Sequence, residues 1–159
     1  MSQIVRARPG TAALLVLMAT SGVVLTYGRQ DGDVLRGARL LGRLLLGDGR
    51  DPSAASALVT LPLTTPLVGA LHHIALTLLW GLALGLLVRP FRGVAYALAA
   101  LVGSVTFSLL NLWVIPPIFG VGFATVTTPG RAIPLALAVT VALLVTPWAS
   151  GVRGRPTSS

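Results

Sequence analysis

Four apolar stretches that contain no Arg or Asp set the strongest limit on how this chain folds. They cover residues 11–27, 67–88, 94–115 and 132–149. A helix rises about 1.5 Å per residue, so roughly 20 apolar residues match the thickness of a bilayer core, where every backbone group must be paired internally. The sequence therefore predicts an all-α membrane protein, with four transmembrane helices in one integral membrane domain over residues 1–159.

The charged residues of the 159-residue chain support this class. Twelve Arg and four Asp are its only Lys, Arg, Asp or Glu side chains, nine of the sixteen lie between residues 29 and 51, and Cys is absent. This supply is too small to cover a water-soluble domain, and without Cys a disulfide scaffold is excluded. A basic composition built from Arg alone, together with abundant Ala, Leu, Gly and Val, suggests a GC-rich genome. We therefore expect a multi-pass protein of a bacterial inner (plasma) membrane, with no nucleic-acid partner.

The first stretch also has a second interpretation. Arg6 and Arg8 followed by an apolar run are typical of a secretory signal peptide as well as of a membrane anchor. No A-x-A-like cleavage site follows the run. We favour a retained helix, and cleavage stays open as the alternative.

An amphipathic segment is predicted at residues 34–47, between the first and second spans. At 100° per residue, Arg36, Arg39 and Arg43 fall within about 60° of one another, and leucines cover the rest of the helix. Such a helix lies in the membrane interface with its guanidinium groups at anionic lipid headgroups. The alternative is a solvated basic loop, which the leucine content disfavours.

Only five residues separate the second and third spans, which predicts a tight antiparallel hairpin at residues 89–93. Arginines flank both termini and this short loop, which favours a cytoplasmic N-terminus and C-terminus. The same arrangement places six arginines on each side of the membrane, so the sequence leaves the orientation open.

A small-residue seam is predicted on the second span. Gly81 and Gly85 lie one turn apart and allow a neighbouring backbone to approach closely, which is how helices associate in lipid. With the hairpin turn centred near Phe91, these glycines fall close to Ala100, and Ser104 lies one turn further along the third span. We therefore expect the second and third spans to pack closely here.

A polar cluster is predicted where this hairpin opens. His73 falls level with a point within about one turn of Ser108 and Asn111, and the adjacent His72 points about 100° away from His73. One interpretation is structural, since such groups commonly form hydrogen bonds between transmembrane helices. The other is a proton, ion or ligand path, because an ionisable group is costly to place at membrane depth.

Aromatic side chains divide between two expected positions. Tyr27, Tyr96, Trp113 and Trp148 are interpreted as residues of the interfacial aromatic belts. Trp80 lies in the middle of its span and is expected to pack between helices.

The second and third spans resemble a loosely defined group of uncharacterised bacterial four-span membrane proteins. The resemblance covers about a third of the chain, in which a His begins a Gly-rich helix and the next helix has an N…P…F ending. The residues that carry it are His73, Gly81, Gly85, Asn111, Pro116 and Phe119. Where members of this group often repeat the His, the fourth span has Ala132-Ile133-Pro134. The resemblance implies a membrane protein and no particular activity.

No enzymatic site is predicted. Haem ligation needs histidines on facing helices, zinc needs three or four ligands, and the apolar stretches contain no acid group. We expect a non-enzymatic subunit or accessory component without a cofactor, which forms a helix bundle in the bilayer with copies of itself or with other membrane subunits. The alternatives are a small oligomeric transporter or channel-like protein, and a membrane-surface sensor that uses the amphipathic helix.

Overall fold

The computed structural model describes residues 8–46, 64–114 and 129–152, and the regular elements in these ranges are all helical. The helices are α1 (Pro9–Gln30), α2 (Arg36–Leu46), α3 (Thr64–Val88), α4 (Gly93–Leu109) and α5 (Pro129–Val152), and α4 continues directly into a π-helical turn at Leu110–Val114. The all-α prediction is confirmed for the described residues. α1, α3 and α5 are long and apolar enough to cross a membrane, whereas α4 is a shorter apolar helix of 17 residues.

The long helices extend beyond the apolar stretches that predict them. α1 adds residues 9–10 and 28–30, and α3 begins at Thr64 rather than at residue 67. Helical hydrogen bonding does not stop where the apolar run stops, because the backbone N–H and C=O groups that form it are the same in polar and apolar residues. Pro9 begins α1 without losing a hydrogen bond, since the first N–H groups of a helix have no partner within it.

Pro134 lies inside α5, although a fourth span that began at residue 132 would place it in the first turn. α5 begins at Pro129, three residues before the predicted start, so Pro134 is the sixth residue of the helix. Only one intrahelical bond, to the carbonyl of Gly130, is removed by this proline.

The four longer helices form a ring of antiparallel neighbours, in which α1 packs on α3 and α5, and α4 packs on α3 and α5. The hydrogen bond from the backbone N–H of Arg8 to Oγ of Ser150, 3.2 Å long, joins the start of α1 to the end of α5. The ion pair of Asp31 with Arg131 joins the opposite ends of the same two helices. α2 packs across the first turns of α3 and against α1, at the end of the ring where Asp31 lies.

Large apolar side chains cover the outside of the ring. Met18, Leu79 and Trp148 are 70%, 64% and 79% exposed, whereas Val16, Val139 and Leu143 are fully buried. The interior also holds hydroxyl groups, among them Ser104 and Thr146, which are fully buried. This distribution is expected of helices surrounded by lipid, where small and polar groups pack between helices and aliphatic groups face outward.

Gly81 and Gly85 pack against α1, and the prediction that they pack against the third span was wrong. A Cβ on Gly81 would lie 2.6 Å from Cα of Ala13, and a Cβ on Gly85 would lie 2.8 Å from Cβ of Ala12. The seam runs between α1 and α3 because α1 presents two adjacent alanines at the level of the glycines. Ala100, which was expected opposite them, is buried in the core of the ring.

The hairpin between α3 and α4 has a different register from the one expected. A turn centred on Phe91 places Leu84 level with Leu98, whereas the side chain of Leu84 lies against Gly103. The cause is in the turn, where Arg92 is extended and α4 begins only at Gly93, which has a left-handed φ of 55°. The extended residue moves the centre of the hairpin toward α4.

A tyrosine joins α4 to α5 at a position where proline interrupts the hydrogen bonding of α5. Pro147 has no N–H, so it cannot donate to the carbonyl of Leu143, four residues earlier. The hydroxyl of Tyr96 donates to that carbonyl instead. The interpretation of Tyr96 as a belt residue misses this contact, in which a side chain replaces the missing backbone donor, as is required of a helix away from water.

Candidate functional site

A cavity of about 260 Å³ lies toward the end of the ring that α2 covers, with lining residues from all five helices. Its walls are mainly apolar, and Leu41, Trp80 and Leu135 are among them. The side chains with polar atoms in its lining are Thr20, Ser21, His73, Thr77, Trp80, Ser108 and Asn111. His73 of α3, Ser108 of α4 and Asn111 of the π-helical turn, which are predicted to lie close together, therefore line one space.

The hydrogen-bonding partner of His73 comes from α1. Nε2 of His73 lies 3.3 Å from Oγ of Ser21. Which of the two groups donates depends on which ring nitrogen carries the proton. The hairpin register does not predict this contact, because it relates α3 only to α4, whereas Ser21 lies on α1. The signal that could have found it is the Thr20-Ser21-Gly22 sequence, the most polar point of the first apolar stretch.

The polar groups of α4 bond to their own helix rather than to His73. Oγ of Ser104, Oγ of Ser108 and Nδ2 of Asn111 each donate to the backbone carbonyl four residues earlier, at 2.7, 2.9 and 2.7 Å. On α1, Oγ1 of Thr20 donates in the same way to Val16, at 2.9 Å. The hydroxyl donors are satisfied locally, whereas the Asn111 amide keeps a second N–H. The hydroxyl oxygens keep lone pairs that can accept a further hydrogen bond.

His72 is half-buried and does not belong to the cavity lining. The two histidines therefore differ in environment, as adjacent positions on a helix must. The aromatic side of the cavity is formed by Trp80 and Phe107, whose ring centroids are 5.2 Å apart in an edge-to-face arrangement. Trp80 thus packs between α3 and α4.

α2 closes one side of the cavity through contacts between backbones. A Cβ on Gly42 would overlap the carbonyl oxygen of Thr65, and a Cβ on Gly69 would overlap that of Ala38. Only glycine permits the two helices to approach this closely. Oγ1 of Thr65 is buried at this crossing without a hydrogen-bond partner among the described residues.

A charge cluster of Asp31, Arg36 and Arg131 lies at the same end of the ring. Asp31 accepts two hydrogen bonds from the guanidinium of Arg131, at 2.6 and 2.7 Å, and lies 3.2 Å from Nη1 of Arg36. The guanidinium of Arg131 also stacks 4.8 Å above the ring of Tyr27. Next to the cluster, Arg39 binds Asp33 through both carboxylate oxygens.

These carboxylates are held in the charged state. Hydrogen bonds from Arg131 lower the pKa of Asp31, and hydrogen bonds from Arg39 lower the pKa of Asp33. A carboxylate with a lowered pKa stabilises the fold above its unfolded pKa of about 3.9. That contribution is lost as the pH falls through the lower pKa of the folded state.

Within the ranges that the structure describes, no group of three or more His, Cys, Asp or Glu residues is arranged to hold a metal ion. The side chain of Arg43, and the resemblance residues Pro116 and Phe119, lie outside what is described. No protein-family model, curated protein or solved structure matches the chain.

Proposed function

We propose that this chain is a four-span integral membrane protein that acts, without enzymatic activity, as a bundle-forming subunit or accessory component of a membrane assembly. The observation that supports four spans is helix direction. α3 and α5 are both antiparallel to α1, so they run parallel to each other. A chain that leaves α3 at Val88 can enter α5 in the same direction only after it returns across the bundle. α4 and its π-helical turn, residues 93–114, provide that return.

In this proposal α2 is an amphipathic helix that lies in the membrane interface. Its Arg36 and Arg39 are exposed, and its Leu41 is buried against the bundle. Both arginines already bind carboxylates, but an exposed guanidinium has further N–H donors for a phosphate group. Anionic lipid headgroups are therefore the proposed partners of this surface.

The proposed location is a bacterial inner membrane with both termini in the cytoplasm. Four spans place the two termini on the same side, in agreement with the contact between Arg8 and Ser150. Arg89 and Arg92 lie in the hairpin at that end, which favours the cytoplasm. The end that carries α2 then faces outward.

A supporting role is favoured over catalysis by the state of the polar side chains. Ser104 and Ser108 donate to their own helix, and the hydroxyl within reach of His73 is that of Ser21. The apolar outer surface offers area for lipid or for other membrane helices.

The cavity favours a small oligomeric transporter or channel-like protein as the second candidate. The Arg surface of α2 supports a membrane-surface sensor less well, because α2 is packed closely on α3 at Gly42 and Gly69 rather than free to bind and release.

The test is the mass of the protein taken from its own membrane without detergent. A tagged chain is extracted by a styrene–maleic acid copolymer and weighed by native mass spectrometry after the lipid is removed. We expect assemblies heavier than the 16.4 kDa chain by whole additional subunits. Monomers alone, at expression levels that match the native level, would contradict the subunit role. A matched sample in a harsh detergent shows whether the chain dissociates under known conditions.

A further inference from the structure

The cavity has the properties of a binding site for an uncharged molecule. None of the described residues that line it is an Asp or an Arg. Its polar centre, the Ser21–His73 pair, lies within the helices α1 and α3, which are long and apolar enough to span a membrane. A charged ligand would lose its hydration there without gaining an opposite charge. The occupant that fits is neutral.

The hydrogen-bonding state of the lining selects a ligand that donates. Thr20, Ser108 and Asn111 each direct a donor to a carbonyl of their own helix. Their side-chain oxygens therefore offer acceptor lone pairs to the cavity, and the second amide N–H of Asn111 remains as a donor. A ligand hydroxyl can donate to these oxygens and accept from this N–H, whereas a ligand without an O–H or N–H group leaves the oxygens unpaired.

The aromatic wall and the volume of the cavity further limit the chemical class of the ligand. Trp80 and Phe107 already pack edge to face, and a third ring continues this arrangement favourably. An apolar cavity of about 150 Å³ holds a benzene molecule, so 260 Å³ corresponds to a ligand of about ten non-hydrogen atoms. We propose that the cavity binds a neutral single-ring aromatic alcohol of the phenol type, with its hydroxyl group at the polar side chains. This proposal goes beyond the subunit role and does not depend on it.

The test uses fluorescence of Trp80 in lipid nanodiscs. Trp113→Phe and Trp148→Phe leave Trp80 as the single tryptophan, and 4-bromophenol serves as ligand and quencher. The control compound is 4-bromotoluene, which has the same ring and bromine but no hydroxyl group. Concentrations of both compounds are expressed as those in the bilayer. We expect quenching to saturate, with a half-maximal concentration about five-fold lower for 4-bromophenol than for 4-bromotoluene, which is the effect of one added hydrogen bond.

Two variants locate the binding. Ala70→Leu fills part of the lining, and Ala83→Leu is the matched control on the exposed face of the same helix. We expect the first to abolish saturable quenching and the second to preserve it. Ser21→Ala with Ser108→Ala removes two hydroxyl groups from the lining with little change in volume and should reduce the preference for 4-bromophenol, because Thr20 and Asn111 remain as acceptors. Equal, non-saturable quenching by both compounds in the unsubstituted cavity would overturn the proposal and indicate that lipid chains fill it.

Discussion

At the scale of single residues, the structure pairs two charged side chains, each of which would be unfavourable alone at its helix end. Asp31 follows the C-terminus of α1, where the helix dipole disfavours an anion, and Arg131 lies in the first turn of α5, where it disfavours a cation. Because α1 and α5 are antiparallel, these two ends adjoin, and the two charges compensate each other. The charge cluster thereby also ties α2 to both helices through Arg36.

The energetic effect of the hydrogen bond from Tyr96 to the carbonyl of Leu143 can be measured separately from that of packing. Tyr96→Phe removes the hydroxyl that replaces the missing N–H of Pro147, so we expect a loss of about 1–2 kcal/mol in the free energy of unfolding. In a chain that also carries Pro147→Ala, the backbone N–H is restored and the same substitution should have little effect. Reversible unfolding in mixed detergent micelles measures all four proteins.

An equal loss from Tyr96→Phe in both backgrounds would show that the hydroxyl does not act through the Leu143 carbonyl. These four proteins form a double-mutant cycle. Tyr96 and Pro147 lie on different helices, so an effect on helix propensity alone does not couple the two substitutions.

At the scale of helices, small residues decide which neighbours come closest. The shortest approach along α3 is to α1 at Gly81 and Gly85, and to α2 at Gly69. α4, although joined to α3 by a short turn, meets it through larger side chains at Leu84, Trp80 and Phe107. Proximity along the chain therefore does not determine the tightest packing.

The glycine seam predicts a large effect of a single side chain. Gly81→Leu places atoms where the backbone of Ala13 lies, so α1 and α3 must separate, at a cost of about 1–3 kcal/mol. Gly22→Ala is the matched control, because the space beside Gly22 in α1 is open and a Cβ there meets no atom within 4 Å. The midpoint of thermal unfolding in detergent should fall for the first variant and stay or rise for the second. Equal midpoints for Gly81→Leu and the unsubstituted protein would contradict the seam.

The existence of the helices could be predicted from sequence because it depends on local composition. The apolar stretches and the Arg face of residues 34–47 are visible without any knowledge of neighbours. The partner of Gly81 could not be predicted from the hairpin, since it depends on the alignment of Ala12 and Ala13 across a long connection. The hydrogen-bonding partner of His73 could not be predicted for the same reason, because Ser21 belongs to α1. The hairpin register depends on backbone angles at Arg92 and Gly93 that composition does not reveal.

At the scale of the whole molecule, the proposed protein crosses a bilayer four times with antiparallel neighbouring helices. Apolar side chains point outward around the ring, and the charge cluster and the hairpin arginines lie at opposite ends. The proposed subunit role and the location of both termini follow from this arrangement. The ligand proposal depends on the cavity alone.

The most direct test is the accessibility of single cysteines in intact cells, which needs no background substitutions because the chain contains no Cys. Gly10→Cys and Phe91→Cys mark one end of the bundle, and Gln30→Cys and Gly130→Cys mark the other, all at exposed positions. With a membrane-impermeant maleimide, we predict labelling of Gln30→Cys and Gly130→Cys before permeabilisation, and of Gly10→Cys and Phe91→Cys only after it. Labelling of Gly130→Cys together with Phe91→Cys, and opposite to Gln30→Cys, would contradict the four-span bundle.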